Sequence, residues 1–283
     1  MLKIGIVGYG FVGKALHHGF SGNLFYIIDP ATHPDSTYEG LKEFDPGVVF
    51  VCVPTPMSEN GGIDSTIIMS VIESLSSLDL KCPIVVKSTI TPDVAYDIMD
   101  KMDVVYNPEF LTEANYVDDF VDSWSVVLGG SVVNVDKVMR IYRNHSDVNE
   151  NAEYVLVNVI DAVFIKYITN TFLATKVTFF NEMKSLYDEA RGKAGDNWDE
   201  IIKALALDDR MGHSHMMVPG HDGRYWAGGS CFPKDMAALV YYSKLIGASM
   251  TVLEQAEKTN RENRSKLYDE PLDREKAQNV KFK

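Results

Sequence analysis

The stretch LKIGIVGYGFVGKAL, Leu2 to Leu16, limits the possible folds more than any other part of the chain. An apolar run stops at Gly8, and Gly8, Gly10 and Gly13 stand in the spacing GxGxxG before a helix-like segment. Each glycine has a separate physical task. Gly8 permits a tight turn, Gly10 lets backbone approach a pyrophosphate, and Gly13 lets helix and strand pack closely. Phe11 and Val12 fill the positions between them. A second apolar run ends at Asp29, sixteen residues after Gly13. A carboxylate there accepts hydrogen bonds from ribose hydroxyls and repels a 2′-phosphate, so the pattern predicts NAD rather than NADP.

Apolar runs of the parallel-strand kind continue through the first half: GVVFVCVPT, PIVVKST, MDVVYNP and WSVVLGG. More polar, helix-like segments separate them, which predicts a βα alternation. From Asp161 to Ala190 there is no Gly or Pro, and Phe164, Ile168, Phe172, Thr175 and Phe179 recur at helical spacing. The expected fold class is α/β: a Rossmann-like doubly wound parallel sheet, then an all-α central domain with one long helix. The expected domains are residues 1–157 for NAD binding, 158–258 for a central helical dimerisation and catalytic domain, and 259–283 as a polar tail.

Charge and cysteine content exclude some partners. The net charge of −13 disfavours nucleic acid and anionic membranes, and no apolar run is long enough to span a bilayer. The tail from Lys258 departs from this balance, with eight Lys/Arg against five Asp/Glu. Cys52, Cys82 and Cys231 are widely spaced with no CxxC pair, which suits a reducing cytoplasm and predicts no zinc site. His213, His215 and His221 lack a carboxylate in ligand spacing and read as a solvated loop, so no metal is expected.

Polar residues gather at predicted strand ends, where α/β sheets hold ligands. Thr55 follows the third strand and Thr89 the fourth, while Glu109 and Glu113 follow the fifth in YNPEFLTEA. Lys166 and Asn170 are four apart on the long helix and share a face. Far downstream, GGSCFPKD sets Cys231 between a Gly-Gly pair and the pair Lys234–Asp235.

GYGFVG, VPTP, KST, NPEFLTE, KYITNTFLATKVTFFNE and GGSCFPKD stand in this order from Gly8 to Asp235. In them the chain resembles the UDP-glucose/GDP-mannose dehydrogenase family. The resemblance implies oxidation of a nucleotide-sugar CH2OH to a carboxylate with two NAD+, with UDP-glucose to UDP-glucuronate the expected conversion. It implies Cys231 as the nucleophile that passes through a thiohemiacetal and a thioester. Lys166 would stabilise the oxyanion, Asn170 would assist by hydrogen bonding, and Asp235 would place water or move a proton. Glu113 and Thr89 would hold the hydrolytic water near the nicotinamide, with Thr55 and Lys234 also facing the cofactor. Glu109, Phe110 and Leu111 would line the substrate, as would Gly228. The long helix would form the core of a homodimer.

Several positions depart from the family pattern. Val163 stands where a Glu is usual, Asp93 replaces a Gly, and Ser123, Trp124 and Ser125 replace Pro-Asp-Arg. The loop before Cys231 is longer, with His221 to Ala227 inserted. Its Arg224, Tyr225 and Trp226 suit a phosphate and a base or sugar, and equally an exposed loop folded over the dimer. The family normally continues into a second α/β unit that binds much of the nucleotide, and this sequence stops near the point where that unit would begin. Two other readings remain: a single-step β-hydroxyacid-type dehydrogenase, which needs no cysteine, and a non-catalytic NAD-binding protein.

Overall fold

The computed structural model describes residues 1–112 and 115–282. The chain divides into two compact units. The first comprises Met1–Thr55 and Asp64–Lys166; the second comprises Pro56–Ile63 and Tyr167–Lys283.

The first unit alternates strand and helix: β1 (Lys3–Val7), α1 (Phe11–Gly19), β2 (Leu24–Ile28), α2 (Tyr38–Phe44), β3 (Val48–Val51), α3 (Thr66–Ser77), β4 (Ile84–Val86) and α4 (Pro92–Met99). It continues with β5 (Val104–Tyr106), α5 (Tyr116–Val121), β6 (Ser125–Gly129), α6 (Val132–His145) and β7 (Glu153–Val157). The sheet order is β2-β1-β3-β4-β5-β6-β7. Every residue of β3, β4 and β5 is buried, as expected for strands covered on both faces. The βα alternation keeps β1 to β5 parallel, but β6 meets β5 antiparallel through Tyr106 and Gly129. β7, which the apolar-run reading does not anticipate, pairs parallel with β6. It is an edge strand with partly exposed residues, and its apolar run, residues 154–157, ends only two residues before the long helix begins.

Aromatic packing holds the helices to this sheet. Phe20, Phe50, Phe120 and Tyr142 form one buried cluster. A Cβ on Gly19 would lie 2.2 Å from the Phe120 ring, so only glycine admits α5 against α1 at this point.

Helix α7 (Val159–Ala190) begins in the first unit and continues in the second from Tyr167. Asn158 starts it by accepting the Asp161 N–H at 2.8 Å, two residues ahead of the predicted start. The chain leaves it through Gly192 in the left-handed region, φ 55°. The aromatic stripe foreseen on this helix faces outward: Ile168 is 61% exposed and Phe172 is 64%. The buried side instead carries Val163, Lys166, Tyr167, Asn170 and Ala174.

The second unit adds α8 (Trp198–Leu205), α9 (Phe232–Leu245), α10 (Thr251–Leu267) and α11 (Asp273–Ala277). Phe180, Trp198, Met216 and Val218 make a core cluster, with Tyr187 and Ile202 packed against it. The polar tail is therefore largely helical. Its chain returns to the body of this unit, where Met57 N–H donates to Gln278 O at 2.8 Å. Among the described residues no helix is long and apolar enough to cross a membrane.

Lys87, at the end of β4, is 4% exposed. Its Nζ donates to Asn107 Oδ1 at 2.8 Å, and Tyr142 OH donates to the same oxygen at 2.6 Å. Asn107 Nδ2 donates in turn to Val127 O at 2.8 Å, so one amide joins β4, β5, β6 and α6. Burial pushes the Lys87 ammonium down to about 8, against the opposing pull of Cys52 and Glu109. The folded value lies below the ordinary 10.5, so between those pH values the unfolded chain binds more protons. The cost of burying the charge is present in full below pH 8 and is lost by pH 10.5. Urea unfolding of the wild type and of Lys87→Met should show the wild type gaining about 3 kcal/mol relative to the variant across this window. A difference independent of pH would reject a lysine so displaced.

Candidate active site

The first unit carries the nucleotide turn. Gly8 has φ 92°, and a Cβ there would lie 2.6 Å from Cys52 O. A Cβ on Gly13 would lie 2.3 Å from Gly8 O, so the turn and the start of α1 require both glycines. Gly10 caps α1, and a Cβ there would meet nothing within 4 Å. No side chain caps this helix end, and its first turn has no acidic residue. The N-terminus of α1 is therefore electrostatically suited to a diphosphate. Phe11 stacks edge-on against Tyr116, and Val12 packs against the sheet core, so both anchor the turn.

Asp29 sits just beyond β2. Its Oδ2 accepts the Tyr9 N–H at 2.8 Å, and its Oδ1 accepts the Thr32 N–H and hydroxyl, each at 3.0 Å. Burial alone would raise this carboxyl, but these hydrogen bonds outweigh it and hold Asp29 below the usual carboxylate range. The turn lies at the point where strand order reverses, with β2 on one side of β1 and β3 on the other. In open α/β sheets that is where nucleotides bind. These residues fit the diphosphate and ribose of NAD.

The strand ends beyond β3, β4 and β5 hold the polar residues foreseen there. Thr55, 4% exposed, donates to Thr89 O at 2.7 Å. Ser88 donates to Val53 O at 2.7 Å and joins the same two strand ends. Glu109 and Lys166 form a buried ion pair at 3.0 Å, and Lys166 Nζ also donates to Glu109 O at 2.5 Å. The other Glu109 oxygen accepts the Leu111 N–H at 2.7 Å, while Lys166 Nζ lies 5.4 Å from the Phe110 ring. This motif thus fixes its own carboxylate and pairs it with the helical lysine. Glu113 lies outside the described residues.

In the second unit Cys231 is the N-cap of α9, with Pro233 in the first turn. The unpaired N–H groups and partial positive charge of a helix N-terminus favour an anionic sulfur. Ser230 Oγ lies 3.5 Å from Cys231 Sγ. Asp235 has no solvent exposure. Its two oxygens accept from Lys234 Nζ and from Asn170 Nδ2, each at 2.6 Å. Lys234, foreseen at the cofactor, is 4% exposed and paired with Asp235. Cys52, by contrast, is buried just past β3, and burial pushes its thiol up to about 12, a poor nucleophile. No disulfide joins Cys52, Cys82 and Cys231.

The inserted loop is bound to the end of the chain. Arg224 donates to Glu270 O at 3.1 Å and stacks on Tyr268 at 4.5 Å, and the Tyr225 N–H donates to Tyr268 OH at 2.8 Å. Gly228 has no room for a side chain, since a Cβ would lie 2.2 Å from Arg264 Nη2. His215 packs against Phe232 with ring centroids 5.5 Å apart, and burial lowers its pKa. Among the described residues no three His, Cys, Asp or Glu are gathered as a metal would need.

Residue-type patterns alone passed over Lys87, Asn107, Arg264 and Glu275. The first two stand inside KST and NPEF, so their signal was the motif itself. The other two are polar residues of a polar tail, and their burial has no sequence signature.

Residues 35–146 match the NAD binding domain of the UDP-glucose/GDP-mannose dehydrogenase family, and residues 161–262 match its central domain. A UDP-glucose 6-dehydrogenase from Rickettsia bellii is 34% identical over 82% of this chain and 52% of that protein. The chain spans about half the length of the curated relatives it matches. A UDP-glucose dehydrogenase structure from Pyrobaculum islandicum superposes with TM-score 0.77 at 23% identity, over 92% of this chain and 68% of that one. A Mycobacterium tuberculosis 3-hydroxyisobutyrate dehydrogenase superposes with TM-score 0.70 at 14% identity, over 100% of this chain and 97% of that one. At these identities the structural likeness is one of fold. The sequence matches go further: two domains of one family account for most of the chain, which belongs to the UDP-glucose/GDP-mannose dehydrogenase family.

Proposed function

We propose that the chain catalyses the NAD-dependent four-electron oxidation of a nucleotide sugar, UDP-glucose to UDP-glucuronate, through a covalent intermediate on Cys231. The observation that carries this reading is the placing of Cys231 at the N-terminus of α9, one turn before a fully buried carboxylate. A single alcohol-to-aldehyde oxidation has no use for a thiol. A second oxidation does, because a free aldehyde has to be held and converted before it escapes.

Two molecules of NAD+, bound in turn, would supply the hydride acceptor for the two oxidations. In this reading Gly10 and the N-terminus of α1 receive its diphosphate, and Asp29 receives its ribose hydroxyls. Cys231 Sγ adds to the aldehyde carbon, giving a thiohemiacetal. Loss of a hydride from that carbon to the acceptor, and of a proton from its hydroxyl, leaves a thioester. Water attacks that thioester, the C–S bond breaks, and carboxylate and thiol are released. Lys166, held by Glu109, stabilises the oxyanion in these steps. Asn170 orients Asp235, which places water or moves its proton. Glu113 and Thr89 are assigned to the hydrolytic water.

NADH formed per mole of limiting UDP-glucose tests the reading. Two supports it, one points to single-step chemistry, and none removes the activity. Cys231→Ser should bind NAD+ with the wild-type affinity and stall after little turnover, since an alkoxide is hard to form near neutral pH. Lys166→Ala should lose about 2.7–4 kcal/mol of transition-state stabilisation, by comparison with other oxyanion donors. Wild-type turnover by Cys231→Ser would make the cysteine structural.

Cofactor choice rests on Asp29. NAD+ should bind far more tightly than NADP+ by calorimetry, and Asp29→Ala should narrow the gap. Equal affinities in the unmodified protein would contradict the assignment.

The outward stripe of α7 is assigned to a second copy of the chain. Ile168, Phe172, Phe179 and Leu186 are each more than half exposed at helical spacing, which an isolated protein seldom tolerates. A homodimer burying about 2,000 Å2 or more is expected. Light scattering should give a dimer mass at micromolar concentration, and Phe172→Glu should shift it toward monomer. A monomeric wild type would refute this assignment.

A further inference from the structure

Glu275 lies on α11, thirteen residues beyond the end of the family's central-domain match at residue 262, and has no solvent exposure. Its Oε1 accepts Arg264 Nη2 at 2.7 Å and the Gly229 N–H at 3.1 Å. Its Oε2 accepts the Leu272 N–H at 2.6 Å, so the carboxylate is also tied to the start of its own helix. Arg264, 1% exposed, sends Nη1 to Tyr225 O at 2.9 Å and Trp226 O at 3.0 Å. Its guanidinium lies 5.4 Å from the Tyr268 ring and 5.3 Å from the Phe282 ring, both supplied by the C-terminal segment.

The loop so held needs holding. Trp226 has φ 69° and Gly229 has φ 81°, so the backbone takes left-handed geometry twice within four residues. For Trp226, a bulky side chain, that geometry is a strained choice that surrounding contacts must impose. Asn260 adds a reciprocal pair of bonds to Ala227, accepting its N–H at 2.7 Å and donating to its carbonyl at 2.9 Å. Backbone groups of Tyr225, Trp226, Ala227 and Gly229 are therefore bonded to buried side chains, and Cys231 follows two residues later.

We propose that the buried Arg264–Glu275 pair is a positioning device for the nucleophile: the C-terminal segment clamps the loop at residues 225–229 so that Cys231 stays at the N-terminus of α9. The proposal rests on the function assigned above only in calling Cys231 the nucleophile. Neither residue touches substrate; both act through the loop backbone. A carboxylate that binds Arg264 and the Gly229 N–H at once couples the tail to the loop, which a buried pair confined to one element would not do. Releasing the loop lets Cys231 leave the helix end and lose the field that favours its anion.

The test is the rate of Cys231 alkylation by iodoacetamide, resolved by peptide mass, with Cys82 of the first unit as an internal control. Glu275→Gln keeps the shape and removes the charge. In the folded variant, checked by circular dichroism, Cys231 alkylation should slow at least fivefold while Cys82 reacts as in the wild type. Arg264→Lys keeps the charge but loses the fork onto Tyr225 and Trp226, and serves as the second variant should Glu275→Gln not fold. Cys231 slowing by less than fivefold in the folded variant, or reacting faster, overturns the clamp. Alkylation needs no substrate, so a protein that fails to oxidise UDP-glucose but shows the slowing sinks the activity and leaves the clamp standing.

Discussion

A buried ammonium group must find an anion or surrender its proton, and this constraint organises the polar interior of the protein. Lys87, Lys166 and Lys234 are each at most 4% exposed. Lys166 takes Glu109 and Lys234 takes Asp235, and each pairing fixes a carboxylate beside residues assigned to chemistry. Lys87 takes the neutral amide of Asn107, and its pKa falls to about 8. The three solutions differ in consequence. The paired lysines each sit against a carboxylate, while Lys87, bonded to an amide, is the one whose pKa burial lowers. Glu109 holds Lys166 by both its backbone and its side-chain oxygen.

The same rule accounts for the C-terminal segment. Its sequence is polar, with little to bury, yet Arg264 and Glu275 are among the least exposed residues of the chain. Their burial is tolerated because almost every polar atom is used: the guanidinium reaches two loop carbonyls, the carboxylate reaches an amide on each side, and two aromatic rings cover the charge. Gly228 is a glycine for a related reason, since Arg264 occupies the space a side chain would need.

What the sequence made legible follows from how local each signal is. Five of the six apolar runs became largely buried strands, because a covered strand must be apolar throughout; the sixth, β2, is apolar although it lies at the sheet edge and is partly exposed. The glycines of GYGFVG took their places because their φ values and close approaches admit no Cβ at Gly8 or Gly13. β7 escaped because its apolar run, residues 154–157, leads almost directly into the apolar start of the long helix, and the antiparallel step from β5 to β6 escaped because an apolar run carries no direction. The outward turn of the α7 aromatics was also hidden. Periodicity identifies a stripe, but it does not say whether the stripe meets the chain's own core or another surface. Lys166 and Asn170, which spacing puts on one face, lie on the buried side of the same helix. The loop clamp was least legible of all, since it joins residues 39 and 46 apart through backbone carbonyls and an N–H, which almost any residue type supplies.

The central claim is that Cys231 carries the substrate between two oxidations, and an acid-quenched peptide map tests it most directly. The protein is mixed with NAD+ and UDP-glucose, quenched within the first turnovers, digested, and the peptide containing Cys231 is weighed. The account predicts a UDP-hexuronyl thioester on Cys231 that disappears with hydroxylamine, and no such mass on Cys52 or Cys82. Steady NADH formation with Cys231 unmodified at every quench time would contradict it.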